Sequence, residues 1–314
     1  MTLSAKMNPM RKPKALKPGD TISLISPAFY VLPEEIEPGI RLLESLGYKT
    51  KTYPSTYQEK ETLQAPDQAK VDDVIAAFHD PETQAVYCAR GGYGCSRLVP
   101  YLDFESLAQT EKLFIGFSDI TIFHAHLNQC GLPTLYAPMP YTFGRDREQW
   151  VYDSFSSALT GEYKIPGEAS RAETVNGGKA AGITVGGCLV LMCDLIGTPG
   201  QIDMTDKIVL IEDVDESPHR VDGLLTHLLN AGALQKAAGI VVGEMTGTNA
   251  KIDRAVGSRQ WETTVRERLS HIDAPSVLNY PFGHARQMLS LPLGIRAELD
   301  ADSGTMNYVE PLCK

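Results

Sequence analysis

In the first half of the chain, short apolar blocks alternate with stretches whose apolar positions recur at helical spacing. Residues 21–26 (TISLIS) form a strand candidate that stops at Pro27, and residues 34–46 (EEIEPGIRLLESL) carry helix-spaced apolar positions up to Gly47. The unit then repeats. YKTKTYP predicts a second strand, Asp67 to Phe78 a helix with Val71, Val74, Ile75 and Phe78 on one face, and QAVYCA a third strand. A glycine loop, a helix from about Ser96, the strand LFIGF and a helix from Asp119 to about Asn128 follow. Such alternation predicts parallel strands joined by right-handed helical crossovers, with helices on both faces of the sheet. Ligands of these sheets bind at the carboxyl ends of the strands.

Between about 160 and 180 (TGEYKIPGEASRAETVNGGK) glycine, proline and charge replace periodicity, which predicts an interdomain connection. Short strands follow (AAGITVGG, KIVLIED, AGIVVGEM, SVLNY, GIRAELD, TMNYVEP), with helices near 189–196, 218–231 and 260–269. The expected division is a flexible extension over 1–16, an N-terminal α/β domain over 17–160, a linker over 161–178, and a more compact mixed α/β domain over 179–314. No internal repeat or low-complexity tract interrupts it.

Composition narrows the partners. With 314 residues, 43% hydrophobic and 22% charged, the chain can bury a substantial core in two modest domains. A net charge of −10 and a pI near 5.2 argue against a nucleic-acid backbone or an anionic membrane, because both would repel the long-range field. A small molecule or a peptide fits better. Cys88, Cys95, Cys130, Cys188, Cys193 and Cys313 form no CxxC pair and no zinc-like grouping with histidine, so they read as reduced core thiols, and no metal or cofactor is called for. No apolar stretch beside Arg11, Lys12, Lys14 and Lys17 has signal-peptide length, and none later reaches a membrane span. A cytoplasmic protein without membrane insertion is the expectation.

Two loops could carry chemistry. Gly116-Phe117-Ser118-Asp119 falls between a strand and a helix, where a strained turn exposes a serine hydroxyl and the Asp119 N–H can face a developing oxyanion. The turn lacks the second glycine of the hydrolase elbow, and Ser118 or Asp119 capping the following helix is the plain alternative. Arg90-Gly91-Gly92-Tyr93-Gly94 directly follows a strand, and its three glycines let backbone approach a ligand and leave N–H groups free for an anion. Its order matches neither the phosphate loop nor the dinucleotide fingerprint. A second oxyanion donor and a plain glycine turn both remain open.

A serine nucleophile needs a base and an orienting carboxylate. Of the seven histidines, His124 and His126 lie inside a helix, His79 ends one, His219 and His227 belong to the 218–231 helix, and His271 follows another. His284 instead sits in a Pro/Gly-shaped loop between two apparent strands, the setting preferred for catalytic groups. Ile208 to Asp213 ends a buried-looking strand in two acids, and a buried acid is costly unless paired. Glu212 suits a histidine partner; Asp213, Asp215 and Glu216 read more readily as a solvated acidic turn.

Together, the blocks ARGGYG, GFSDIT, VLIEDVDESPHRVDGLLTHL and FGHARQMLSLPLG resemble the LD-carboxypeptidase family of serine peptidases, in the family's order, from about Leu16 to Asp300. The resemblance implies a flavodoxin-like parallel-sheet N-terminal domain carrying the serine, a smaller mixed α/β C-terminal domain, and an active site between them. It implies Ser118 as nucleophile, Glu212 orienting the histidine and His284 as base. The oxyanion donors would be the backbone N–H groups of Asp119 and of Gly91 or Gly92, with Gly92 slightly preferred. It also implies a murein peptide substrate that loses its terminal D-alanine, and a homodimer. Arg90 and Arg286 are candidates for the substrate carboxylate, or ordinary structural arginines.

Two positions depart from the family's usual pattern. Gly186-Gly187-Cys188-Leu189 stands where Gly-Gly-Asn-Leu is common, and Tyr136-Ala137-Pro138 where His-Gly-Pro is common. Neither is expected to touch the triad. The rival readings are a microcin-immunity peptidase that cleaves a peptidyl or aminoacyl nucleotide, and a non-catalytic module holding an anionic ligand. The interval from Ser118 to Glu212 holds one tryptophan, Trp150, and lacks the longer aromatic segment of the immunity branch. A glutamine amidotransferase would need cysteine at the elbow in place of Ser118.

Overall fold

The computed structural model describes residues 10–58, 67–167, 169, 172–250 and 252–314. Five strands of the first half, β1 (Thr21–Ile25), β2 (Lys49–Thr52), β3 (Ala85–Cys88), β4 (Leu113–Gly116) and β5 (Thr134–Tyr136), pair in parallel in the order β2-β1-β3-β4-β5. That is the flavodoxin-like order. Every residue of β3, β4 and β5 is buried, as expected of parallel strands covered on both faces. The crossovers run through α1 (Pro33–Ser45), α2 (Gln68–His79), α3 (Cys95–Leu98), α4 (Phe104–Ala108) and α5 (Thr121–Gln129), and α6 (Gln149–Leu159) leads to the second half. The helix expected from Ser96 is the single turn α3, because Pro100 cannot continue an α-helical ladder.

The second half holds β6 (Glu173–Asn176), β7 (Lys179–Cys188), α7 (Leu189–Asp194), β8 (Lys207–Val214), α8 (Pro218–Asn230), β9 (Gly239–Thr246), α9 (Trp261–Leu269), β10 (Ser276–Leu278), β11 (Leu291–Leu293), β12 (Arg296–Asp300) and β13 (Thr305–Tyr308). Its sheet runs β13-β12-β7-β8-β9-β10-β6, with β7 to β10 parallel and the outer strands antiparallel.

Three features differ from the sequence-based expectation. Residues 173–176, inside the expected linker, form the edge strand β6, and the Asn176 side chain donates to the carbonyls of Leu269, Ile272 and Ala274. Residues 10–16 do not lie loose: Arg11 N–H donates to Gly131 O, Leu16 is buried, and Pro13 O accepts from Lys314 N–H. The remainder of that expected extension, residues 1–9, lies outside the described residues. Finally, β11 belongs to the first sheet, antiparallel to β5 with Leu291 opposite Tyr136. The loop from β10 to β11 therefore crosses from one sheet to the other, and one apolar cluster runs through both halves.

Candidate active site

At the carboxyl end of β4 the chain turns sharply. Phe117 is extended, and Ser118 takes φ 65°, a left-handed conformation that a non-glycine residue holds at a cost of about 1–3 kcal/mol. The absent second glycine has a local explanation. Ile120 occupies its place and packs over Gly116, where an added Cβ would come within 2.8 Å of the Ile120 side chain. His124, fully buried, fixes the turn from behind, with Nε2 3.0 Å from Gly116 O and Nδ1 2.8 Å from Thr134 Oγ1. Burial lowers its pKa to about 4, so it stays neutral and structural.

The strand β8 ends opposite this turn and presents Glu212, which is 0% exposed. The β10–β11 loop supplies His284. His284 Nδ1 lies 2.7 Å from Glu212 Oε2, its backbone N–H donates to the same oxygen at 3.0 Å, and its Nε2 lies 3.0 Å from Ser118 Oγ. Gly283, at φ 91°, precedes it because a side chain there would enter the space that Glu212 fills. Phe117 meets the imidazole edge-on at 4.9 Å between ring centroids. The line Ser118–His284–Glu212 thus forms only where the two halves meet.

Electrostatics agree with that order. Burial alone would raise the Glu212 carboxyl, but the adjacent His284 charge and the hydrogen bonds from His284 and Tyr136 outweigh it and hold Glu212 below its ordinary value. For His284 burial pulls down, yet the Glu212 charge and hydrogen bond prevail and raise it. A neutral imidazole there can accept the serine proton, and the fixed carboxylate stabilises the imidazolium that results.

The glycine loop closes the other side of Ser118. An added Cβ on Gly91 would sit 2.9 Å from Ser118 Cβ, 3.1 Å from its Oγ and 3.5 Å from Asp119 N. Backbone at Gly91 therefore comes as near the hydroxyl as a residue without a side chain allows. The Asp119 carboxylate holds the loop there: Oδ2 accepts from Cys95 N–H at 2.8 Å, and Gly94 N–H donates to the same carboxylate. Sequence reasoning gave Asp119 its backbone N–H or a cap on the following helix, and missed this role.

Other expectations need correction. Asp213 is no part of a solvated turn. It is 1% exposed and accepts from Val190 N–H and Val214 N–H, both at 2.8 Å, and burial with the neighbouring Glu212 charge raises it to about 6. Successive residues of a strand face opposite sides, so Glu212 aims at the serine and Asp213 at the start of α7. Tyr136 does touch the expected triad residues: its hydroxyl donates to Glu212 Oε1 at 2.5 Å and accepts from Ser118 N–H at 3.1 Å. Cys188 lies opposite Glu212 on β7, donates its thiol to Asp213, and donates its backbone N–H to Thr121 Oγ1, 3.1 Å away across the interface. Arg90 lies between the rings of Phe29 and Tyr141, at 5.2 and 4.1 Å from their centroids. Arg286 is 64% exposed and pairs with Asp146.

Comparison with known proteins follows the same division. Residues 22–137 match the LD-carboxypeptidase N-terminal domain and residues 181–299 the LD-carboxypeptidase C-terminal domain. The chain is 32% identical over 298 residues to the "Probable murein peptide carboxypeptidase" of Bacillus subtilis, covering 94% of this chain and 93% of that one. It superposes on the crystal structure of muramoyltetrapeptide carboxypeptidase from Oxalobacter formigenes with a TM-score of 0.79 and 28% identity, over 91% of this chain and 97% of that one. The protein MccF, solved in complex with glutamyl sulfamoyl guanosine, shares the fold with a TM-score of 0.85 at 22% identity, over 96% and 99% of the two chains.

Proposed function

The chain belongs to the LD-carboxypeptidase family, and on that premise we propose that it hydrolyses the amide between the L-centre of a diamino acid and the C-terminal D-alanine of a murein tetrapeptide. The observation that carries this reading is the unbroken line Ser118 Oγ, His284 and Glu212 at 3.0 and 2.7 Å. In the proposed mechanism Ser118 Oγ attacks the carbonyl carbon while His284 Nε2 takes its proton. The oxyanion forms beside the Asp119 N–H and a glycine N–H of the 91–92 pair. Ser118 N–H is already given to Tyr136, which leaves the donors of the loop and of Asp119 for this purpose. The amide C–N bond breaks as His284 returns the proton to the D-alanine nitrogen, and water deacylates Ser118 by the same route.

Arg90 is the better candidate for the D-alanine carboxylate. It directly precedes Gly91, and its ring contacts orient the guanidinium without neutralising it. Arg286 is already paired with Asp146 and serves the proposal less well. A cytoplasmic setting belongs to the same proposal, supported by six free cysteines; among the described residues no helix is long and apolar enough to cross a membrane.

The test is incubation with purified murein tetrapeptide, followed by mass spectrometry and assay of free D-alanine. Release of D-alanine by the wild type and not by Ser118→Ala is expected. A protein that leaves the tetrapeptide intact while cleaving an acyl-sulfamoyl nucleotide would belong with the immunity peptidases instead.

A further inference from the structure

Tyr136 stands at a position where nothing in the proposed mechanism requires a hydroxyl, yet it is 1% exposed and its oxygen makes two hydrogen bonds to opposite halves of the site. It accepts from Ser118 N–H, on the β4 turn, and donates to Glu212 Oε1, on β8. The register explains how it gets there. Tyr136 is the last residue of β5, directly beside Gly116 on β4 and Leu291 on β11. Its ring is wedged among Phe117, His124 and Phe282, with centroids 6.0, 5.6 and 6.3 Å away. Burial and the Glu212 charge push its phenol well above the ordinary value, so the proton stays on the oxygen and donation to Glu212 is secure.

From this bridge we infer that Tyr136 is a positioning residue for the triad, joining the nucleophile turn to the orienting carboxylate independently of His284. Its hydroxyl fixes the left-handed turn at Ser118 from one side and occupies the Glu212 oxygen that His284 does not use. The inference rests on the proposed role of Ser118 and Glu212. Titratable and charged groups facing this cluster are Cys188 on β7, His124 on α5, and Arg145, which acts on His284; the Asp213 charge reaches Glu212 and His284 from behind β8. Cys188 is pushed up and His124 down, so both stay neutral near pH 7, and Asp213 faces the other side of β8.

Removing the hydroxyl leaves Glu212 Oε1 with its charge less shared. Either Glu212 then takes a proton more readily or its stronger pull on His284 raises the imidazole, and both outcomes move the acid limb to higher pH. The experiment is Tyr136→Phe, read by the rate at which a fluorophosphonate labels Ser118 between pH 5 and 9, with thermal unfolding in parallel. Expected are a labelling rate lower by about 10- to 100-fold and an acid limb displaced upward by about one pH unit. Leu228→Ala, a core truncation in α8, is the control, and should lose stability without displacing the limb. If Tyr136→Phe labels as fast as wild type, or loses rate equally at every pH as a merely destabilised protein would, the positioning role is wrong. If wild type itself fails to label, the failure lies with Ser118 as nucleophile and takes this inference with it.

Discussion

Substituting Gly91 by alanine separates catalysis from folding more cleanly than removing any triad member. Gly91 is not among the glycines with positive φ, so alanine meets no left-handed strain, and the shorter list of unfolded conformations would by itself add about 0.4–1 kcal/mol of stability. The new methyl, however, stands 2.9 Å from Ser118 Cβ and 3.1 Å from Oγ, against an ordinary carbon contact of about 3.5–4.0 Å. Relief requires Ser118 or the loop to move by roughly 0.5–1 Å, and displacement on that scale costs on the order of 10²-fold in rate. The methyl also lies 3.5 Å from Asp119 N, inside the space where the oxyanion would form, and loss of one such donor costs a further 10²–10³-fold. A fall in kcat/KM of about 10² from displacement alone, and of about 10⁴–10⁵ where the donor is lost as well, is expected, equivalent to roughly 3–7 kcal/mol of transition-state stabilisation. D-alanine release from tetrapeptide and fluorophosphonate labelling report activity, and thermal denaturation reports the fold. Activity above about a third of wild type would refute the argument that Gly91 exists for close approach, and so would a loss matched by unfolding.

Further expectations follow from the same geometry. Glu212→Gln should lower kcat by about 10³–10⁴, because an amide cannot accept from His284 Nδ1 and N–H together while also receiving the Tyr136 proton; steady-state kinetics checks it. As the proposed base, His284 would have to be neutral, and its pKa is raised, so kcat/KM should fall as pH drops through a value above the ordinary histidine pKa of about 6.5. Asp119→Ala frees the Cys95 and Gly94 N–H groups that hold the loop and should cost about 1–3 kcal/mol in denaturant titration along with most of the activity. Asp213 has a folded pKa of about 6 against about 3.9 unfolded, so its charge costs nothing below about pH 4 and about 3 kcal/mol once pH 6 is passed. The difference in unfolding free energy between wild type and Asp213→Asn should therefore change across that window and be flat above it.

The alternation of apolar blocks and helical spacing is enough to read β1, β3 and β4 and their crossovers, because buried parallel strands are written as apolar runs; β2, the polar edge strand KTKT, is legible only from its place in the repeat. Short elements escaped. β5 and β11 have three residues each and no periodicity to display, and β11 contributes to a sheet whose other strands lie far upstream. Ser118, Glu212 and His284 were legible from their settings: a strand-to-helix turn, an acid ending an apolar strand, and a histidine in a Gly/Pro loop. Tyr136 was not, since its importance comes from lying beside Gly116 in a strand that sequence did not show. A tyrosine ending a short apolar run next in order to the strand that leads into Ser118 is the signal that could have found it. Asp213 misled for the opposite reason. Its neighbours Asp215 and Glu216 suggested solvent, whereas the strand continues to Val214 and carries Asp213 inside with it.

Glu212 and Asp213 show how adjacent buried acids on one strand acquire opposite properties. Both are removed from water, so burial raises both. Glu212 recovers its charge because a cation can form beside it: His284 supplies two donors and, when protonated, a full positive charge, and Tyr136 supplies a third hydrogen bond. Asp213 receives only backbone dipoles and a thiol, with the Glu212 charge next to it, and its pKa rises. The alternation of a strand sends one acid to the interface between the halves and the other to the N-terminal turn of α7. Environments that drive two carboxyls apart assign their roles. The lowered carboxyl of Glu212 therefore depends on the β10–β11 loop keeping His284 against it, which ties the electrostatics of the site to the docking of the two sheets.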